Sequence, residues 1–186
     1  MTPPTTIICY HFPCWDGIYA ALCAHAALSA PPTQAEAALS SSNPRTPTPP
    51  PLRYVPLTVT RAPLLADLGP LTGDETVYFL DYTGPPGFAI SVANALRSTE
   101  HGQGRVVVLD HHKTAMEDLM GPEALAARPP NLDVTFDMNR CGASIARDYF
   151  RPPLTPQVET MIAMVEDGDL WRWRRPDSKA FYAYLR

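Results

Sequence analysis

Three ionisable residues, Asp110, His111 and His112, directly follow the apolar run Val106–Leu109. Polar groups beside a buried strand cost free energy unless they have partners, so three ionisable residues without partners at this position would destabilise the fold. Carboxylate oxygens and imidazole nitrogens together suit Mn²⁺, and Mg²⁺ less selectively. The triplet therefore predicts a functional site that binds a metal ion.

Other groups with ligand chemistry follow other apolar runs. His11, Cys14 and Asp16 come after the first run, Asp81 follows a later one, and the acidic cluster 166–169 ends a helical pattern. Taken singly, Asp81 is more typical of a loop or capping residue, Asp16 of a helix N-cap, and the acidic cluster of a solvated helix end. The occurrence of all these groups in one chain favours a functional site over separate structural roles.

Such a ligand set has a definite chemistry. One carboxylate on a central strand can bridge two ions about 4 Å apart, the arrangement that proteins use to hydrolyse phosphate esters. The two metal ions together bind a phosphate, lower the pKa of a bridging water and stabilise charge on the leaving oxygen. This mechanism requires converging Asp and His residues and needs no serine or cysteine nucleophile.

Short apolar runs that alternate with longer helical patterns must position these groups. We predict an α/β fold, with a mainly parallel sheet flanked by helices on both faces. In such sheets functional residues gather at the carboxyl ends of the strands. The predicted strands are Thr5–Tyr10, Leu52–Val59, Val77–Leu80, Arg105–Leu109 and Leu132–Phe136, and the predicted helices are Asp16–Ala30, Phe88–Leu96, Ala143–Phe150, Val158–Val165 and Lys179–Leu185.

Composition sets the class of protein. The 186 residues suffice for one domain, 1–186, interrupted by a Pro- and Ser-rich insertion at about 31–51 that holds many of the 22 prolines. The net charge of -4 gives no basic field for nucleic acid, although bound metal ions would supply local positive charge. Scattered cysteines, no membrane-length apolar stretch and no signal peptide predict an intracellular, cytoplasmic protein.

Four motifs in order resemble those of the DHH phosphoesterase superfamily, which includes single-strand exonucleases, oligoribonucleases that also cleave cyclic dinucleotides, and family II inorganic pyrophosphatases. The resemblance covers the chain apart from the insertion, and it is strongest to the subset with an Asp-Leu-Trp motif. The matching stretches are His11–Gly17, Phe79–Asp81, Leu109–Lys113 and Val165–Trp171, the last preceded by Cys141–Ser144.

The resemblance implies a role for each matching residue and two bound Mn²⁺ ions, with Mg²⁺ or Co²⁺ as substitutes. His11 and Asp81 would hold one ion; Asp16, Asp81, His111 and Asp167 would hold the other, with Asp81 bridging. Asp110 would orient His111 through its second ring nitrogen, and His112 would contact the phosphate. Further phosphate contacts would come from Lys113, Arg140 and the helix start at Gly142 and Ser144.

The sequence departs from the family's pattern in two places. Pro13 or Cys14 stands where the opening motif usually has its first aspartate, so Cys14 either coordinates a metal ion or packs as a small apolar residue. The family also carries a C-terminal substrate-binding domain, which we expect to be absent because the chain ends at Arg186; the alternative is that the sequence is a fragment of a longer gene product.

We therefore expect a phosphoesterase that cleaves short oligonucleotides or cyclic nucleotides, with a nucleotide or single-stranded oligonucleotide as partner and a homodimer as a candidate assembly. Trp171 and Trp173 could stack bases or pack within the protein. One alternative is a hydrolase of pyrophosphate or a nucleoside bisphosphate. The other is a degenerate, non-catalytic domain that binds a nucleotide or a protein.

Overall fold

In the part of the chain that the structure describes, five parallel strands form one central sheet, in the order β2-β1-β3-β4-β5. The computed structural model describes residues 4–31, 49–100 and 102–185, so residues 32–48 of the predicted insertion lie outside the described residues. The strands are β1 (Thr6–His11), β2 (Leu52–Leu57), β3 (Thr76–Leu80), β4 (Arg105–Asp110) and β5 (Leu132–Phe136).

Within the described residues, seven α-helices connect or follow these strands, and a short 3₁₀-helix, Leu65–Leu68, precedes β3. The prediction of a parallel sheet covered by helices is confirmed. The helices are α1 (Trp15–Leu28), α2 (Phe88–Arg97), α3 (Lys113–Met120), α4 (Pro122–Ala127), α5 (Gly142–Phe150), α6 (Pro156–Asp169) and α7 (Ser178–Tyr184).

The sheet buries both of its faces, which explains the unbroken apolar run in β4. Side chains alternate along a strand, so Val106 and Val108 enter the core shared with α2 and α3. Val107 and Leu109 enter the opposite core, shared with α1, α5 and α6. Each face is thereby closed by at least two helices.

The strand β2 ends two residues earlier than predicted and contains Pro56. Among the described residues it pairs with β1 alone, where Tyr10 lies opposite Pro56. A proline lacks the N–H that a second neighbouring strand would require, so it is tolerated at an edge.

The strand order reverses between β1 and β3, which lie side by side in the sheet. The connection after β1 carries α1 on one face, and the connection after β3 carries α2 on the other face. A crevice therefore opens at the carboxyl ends of these two strands, the usual ligand-binding position in doubly wound sheets. No helix within residues 4–31, 49–100 and 102–185 is both long and apolar enough to cross a membrane.

Candidate metal centre

Asp81 lies at this crevice, directly after β3, and its side chain is buried. Its Oδ2 atom is 3.3 Å from Nδ1 of His11, and its Oδ1 atom is 3.1 Å from Nε2 of His111. Nδ1 of His112 lies 3.8 Å from the same Oδ1 atom. The Asp81 carboxylate thus faces the ring of His11, at the end of β1, and the ring of His111, which follows β4. This is the geometry expected of a bridging ligand.

Three groups of donor atoms, each with all members within 4.8 Å of one another, meet around this carboxylate. Asp81 belongs to two of the groups and His111 to two, so neighbouring groups share a member. The first and second groups have Asp81 in common, and the second and third have His111 in common. The groups are His11, Cys14 and Asp81; Asp81, His111 and His112; and Asp16, His111 and Asp169.

The electrostatics of the crevice favour a cation. Burial and the neighbouring Asp81 carboxylate raise the pKa of Asp16 to about 7. Burial lowers the pKa of His111, but its contacts with Asp16 and Asp81 outweigh that effect and raise this pKa to about 10. Burial also raises the pKa of Asp81, yet contacts with His11 and His111 prevail and hold it below its ordinary value. Protons on Asp16 and His111 offset the repulsion between the crowded carboxylates, and a bound divalent cation would offset it equally well.

Cys14 lies at the edge of the cluster, within reach of His11 and Asp81. Burial and the Asp81 carboxylate raise the pKa of the Cys14 thiol to about 12. The free thiol is therefore protonated at neutral pH, and a bound metal ion would be needed to make it a thiolate. Both interpretations of Cys14 are compatible with this position.

Asp110 contacts the ring of a different histidine from the one that the resemblance implies. Its Oδ1 atom accepts hydrogen bonds from the backbone N–H groups of His111 (2.6 Å) and His112 (2.9 Å). The same oxygen lies 2.8 Å from Nδ1 of the His112 ring. Asp110 thus orients the ring of His112, because the ring of His111 points towards Asp81 and Asp16. This contact raises the pKa of His112.

Asp16 does not cap its own helix, whose N-cap is Cys14. Its carboxylate instead accepts hydrogen bonds from the N–H groups of Gly142 (2.6 Å) and Ala143 (2.7 Å) at the start of α5. The predicted anion cradle thus holds a carboxylate of the protein itself. A Cβ atom on Gly142 would lie only 2.7 Å from Cβ of Asp81, so this close approach requires glycine.

Asp167, predicted as a metal ligand, is not brought into the cluster. Its carboxylate accepts hydrogen bonds from the N–H groups of Arg174 and Arg175, both at 2.9 Å. Asp169 lies at the cluster instead, with Oδ2 3.6 Å from Nε2 of His111. Residues two apart on a helix point about 200° apart, so only one of these aspartates can face the crevice. The helical spacing shows that the two aspartates diverge, but the packing of α6 decides which of them faces the crevice.

The other predicted phosphate contacts have partners within the protein. Arg140 forms ion pairs with Glu166 (3.1 Å) and Asp148 (2.8 Å) and donates a hydrogen bond to Ser144, which is buried. Lys113 is exposed, 3.3 Å from Glu117 on the same helix. Both cations are thus paired with carboxylates of the protein itself.

A small cleft of about 160 Å³ opens beside His11 and His112. Tyr82, which the sequence did not single out, lines it with its ring 5.4 Å from that of His11. Thr83 and Thr114 add hydroxyl groups to the lining. The cleft thus opens next to donor atoms of the cluster.

No known protein-family profile matches the chain. A stretch of 79 residues, 42% of this chain, is 30% identical to an uncharacterized protein of Acanthamoeba polyphaga mimivirus, of which it covers 17%. The crystal structure of an uncharacterized protein from Helicobacter pylori is similar over 91% of this chain and 44% of the bacterial chain, with a TM-score of 0.56 and 14% identity. The chain thus spans less than half of either relative, and the structural likeness supports the fold alone.

Proposed function

We propose that this protein is a metal-dependent phosphoesterase of the kind that its DHH-like motifs imply. It would hydrolyse phosphodiester bonds in short oligonucleotides or cyclic nucleotides with two Mn²⁺ ions, or with Mg²⁺ or Co²⁺ in their place. The observation that carries the proposal is the position of Asp81, shared between donor groups on both sides of its carboxylate.

The donor sets suggest how the residues divide the work. His11 and Asp81, with Cys14 beside them, would hold one ion. The second would be held by Asp81 and by the group of Asp16, His111 and Asp169. Bound there, the ions would supply an activated water and stabilise charge on the phosphate.

His112 is the proposed group for proton transfer or phosphate contact. Its ring is 44% exposed at the small cleft, and Asp110 holds one ring nitrogen. The raised pKa of His112 favours the imidazolium form, which donates a hydrogen bond to a phosphate oxygen or a proton to a leaving oxygen.

The state of Cys14 supports hydrolysis by water over a cysteine nucleophile. With the pKa of its thiol raised to about 12, Cys14 carries little thiolate at neutral pH. All four cysteines are free thiols, which supports a reducing, cytoplasmic setting for the protein.

The test is manganese-dependent release of mononucleotides from a 5′-labelled pentanucleotide or of linear product from a cyclic dinucleotide. Asp81→Asn is expected to lower the rate by about a hundredfold or more, since charge stabilisation in the transition state is lost. Asp133→Asn, on an exposed carboxylate of β5, is the matched control and keeps the rate. Absence of turnover with Mn²⁺, Mg²⁺ and Co²⁺ would contradict the proposal.

A second candidate is hydrolysis of pyrophosphate or a nucleoside bisphosphate, favoured by the small volume of the cleft beside His11 and His112. Phosphate release from pyrophosphate, compared with nucleotide release from a dinucleotide, separates the two. Uptake of metal ions without turnover of either substrate would instead support a non-catalytic binding domain.

A further inference from the structure

An alternation of aromatic and cationic side chains, Trp-Arg-Trp-Arg-Arg, follows the end of α6 at residues 171–175. It begins two residues after Asp169, which lies at the metal cluster. Trp171 is 79% exposed, so packing inside the protein does not account for it. Trp173 is half-buried and packs edge-on against Tyr182, with ring centroids 5.5 Å apart.

The backbone of this segment is held in a defined shape. Trp171 and Trp173 both adopt positive φ angles, 53° and 50°, a conformation that bulky residues rarely take. Asp167 holds the turn: its carbonyl accepts hydrogen bonds from the N–H groups of Arg172 and Trp173, and its carboxylate accepts those of the next two residues. Strained backbone that the surroundings hold in place is typical of functional sites.

The same segment contributes to a cleft of about 390 Å³ that is rich in arginine. Arg140, Arg147 and Arg172 line it, and each is paired with a carboxylate. Arg174 and Arg175 also line it, and neither forms an ion pair within the described part of the chain. The carboxylates of Glu166 and Asp167 also line the cleft, and five arginines against these two carboxylates give its lining a net positive charge in a protein of net charge -4.

We propose that residues 171–175 bind single-stranded nucleic acid, with one base stacked on Trp171 and phosphates against Arg174 and Arg175. This inference rests on the proposed function and names its substrate class. An exposed aromatic face takes any base, and neighbouring guanidinium groups follow the phosphates of the same strand. In a duplex the faces of the bases are stacked on one another, so its phosphates can contact the guanidinium groups but its bases cannot stack on the indole of Trp171.

The experiment measures fluorescence anisotropy of a fluorescein-labelled oligothymidylate of eight nucleotides, in EDTA so that no metal-dependent cleavage occurs. Trp171→Ala is expected to weaken binding about tenfold, in line with the loss of one stacked base. Trp171→Phe restores most of the affinity because it keeps an aromatic face. Tyr184→Ala, on a side chain that is 88% exposed in α7, is the matched control and leaves binding unchanged.

The cationic half is tested through the dependence of affinity on salt. Arg174→Gln is expected to reduce the slope of log affinity against log salt by about 0.7, the value for one phosphate contact on a single strand. Arg97→Gln, at the exposed end of α2, is the matched control and leaves the slope unchanged.

The two proposals fail in different ways. Equal affinity of wild type and Trp171→Ala for the oligothymidylate, or equal affinity of the wild type for the single strand and its duplex, would overturn the nucleic-acid site. Turnover of bis(p-nitrophenyl) phosphate, a diester without bases, by the wild-type protein with Mn²⁺ tests the phosphoesterase proposal independently. Its absence, with the binding results as expected, would overturn the phosphoesterase and leave the binding site standing.

Discussion

Asp81 combines two properties that single residues rarely share. It is 1% exposed, and its φ angle of 65° lies in the left-handed region, which aspartate tolerates better than bulkier residues. This backbone conformation accompanies a carboxylate that faces His11 on one side and His111 on the other. The arrangement gives Asp81 the position of a shared ligand.

At the residue scale, we predict that Asp169→Asn lowers the affinity for Mn²⁺ at least about tenfold, the smallest loss typical of a disturbed metal site. Its carboxylate joins Asp16 and His111 in one donor group. Asp167→Asn keeps the affinity, because that carboxylate binds the backbone of residues 174 and 175. Isothermal titration calorimetry measures both. The reverse pattern, with Asp167 essential and Asp169 dispensable, would contradict the structural assignment.

Residues at strand ends were predictable from the sequence, whereas residues on helices were not. His11, Asp81 and His111 meet because parallel strands end at one edge, a rule that needs only the strand positions. Choosing between Asp167 and Asp169 requires the rotation of α6 about its axis, which depends on packing. The partner of Asp110 likewise depends on side-chain angles in the turn after β4.

At the scale of elements, helix starts are tied to distant carboxylates. Asp16 on α1 binds the start of α5, and Asp118 on α3 binds the N–H of Gly87, the N-cap of α2, through both carboxylate oxygens at 3.0 and 2.9 Å. Each contact joins helices that are far apart in sequence. Side-chain acceptors at helix starts stabilise helices by satisfying free N–H groups.

We predict that Asp118→Ala lowers the free energy of unfolding by about 1 kcal/mol, the usual cost of losing such an acceptor. Urea denaturation in the absence of metal measures the change. Glu117→Ala, on the neighbouring residue, is the matched control: its carboxylate is 59% exposed and pairs only with Lys113 among the described residues, so a change within about 0.5 kcal/mol is expected. Equal effects of the two substitutions would contradict the assigned role of Asp118.

The turn before β3 depends on Glu75, which is 3% exposed. Its carboxylate accepts hydrogen bonds from the N–H and hydroxyl groups of Thr72 and from the N–H of Gly73. Burial raises the pKa of Glu75, but these hydrogen bonds outweigh it and hold the pKa below its ordinary value. The ionised form is therefore the one that stabilises the fold.

From this shift we predict a dependence of stability on pH. A carboxylate with a lowered pKa contributes stability that is present above its unfolded pKa and is lost as pH falls through its folded pKa. Glu75→Gln should cost about 1–3 kcal/mol at neutral pH, and its unfolding curve should approach that of the wild type below about pH 4. Glu123→Gln, exposed on α4, is the control. A difference in the free energy of unfolding between wild type and Glu75→Gln that stays constant across pH would contradict the role of the ionised carboxylate.

The sheet was the predictable part of the fold, because its strands are buried on both faces and read as apolar runs. The segment 113–127 was not predicted as helical, yet it forms α3 and α4. In α3 only Ala115 and Leu119 are buried, so its apolar face is too narrow to recognise without the neighbouring core.

At the scale of the whole molecule, topology and charge act on the same crevice. The reversal of strand order between β1 and β3 opens it, and aspartates and histidines at the ends of β1, β3 and β4 and on α1 and α6 fill it. The crowding of carboxylates there opposes folding unless protons or cations compensate them. Stability of the whole domain should therefore be linked to metal binding.

We predict that Mn²⁺ at about one hundred times its Kd raises the free energy of unfolding by about 2.7 kcal/mol for each ion bound, and each such increment is a rise in Tm of about 5–11 °C for a domain of this size. Scanning calorimetry with Mn²⁺ and with EDTA measures the shift. Asp81→Asn should abolish it, since both sites lose their common ligand, whereas Asp133→Asn should preserve it because that carboxylate lies exposed on β5, outside the donor groups. Equal Tm values of the wild-type protein in Mn²⁺ and in EDTA would show that the cluster is compensated by its own protons and histidines, without a metal ion.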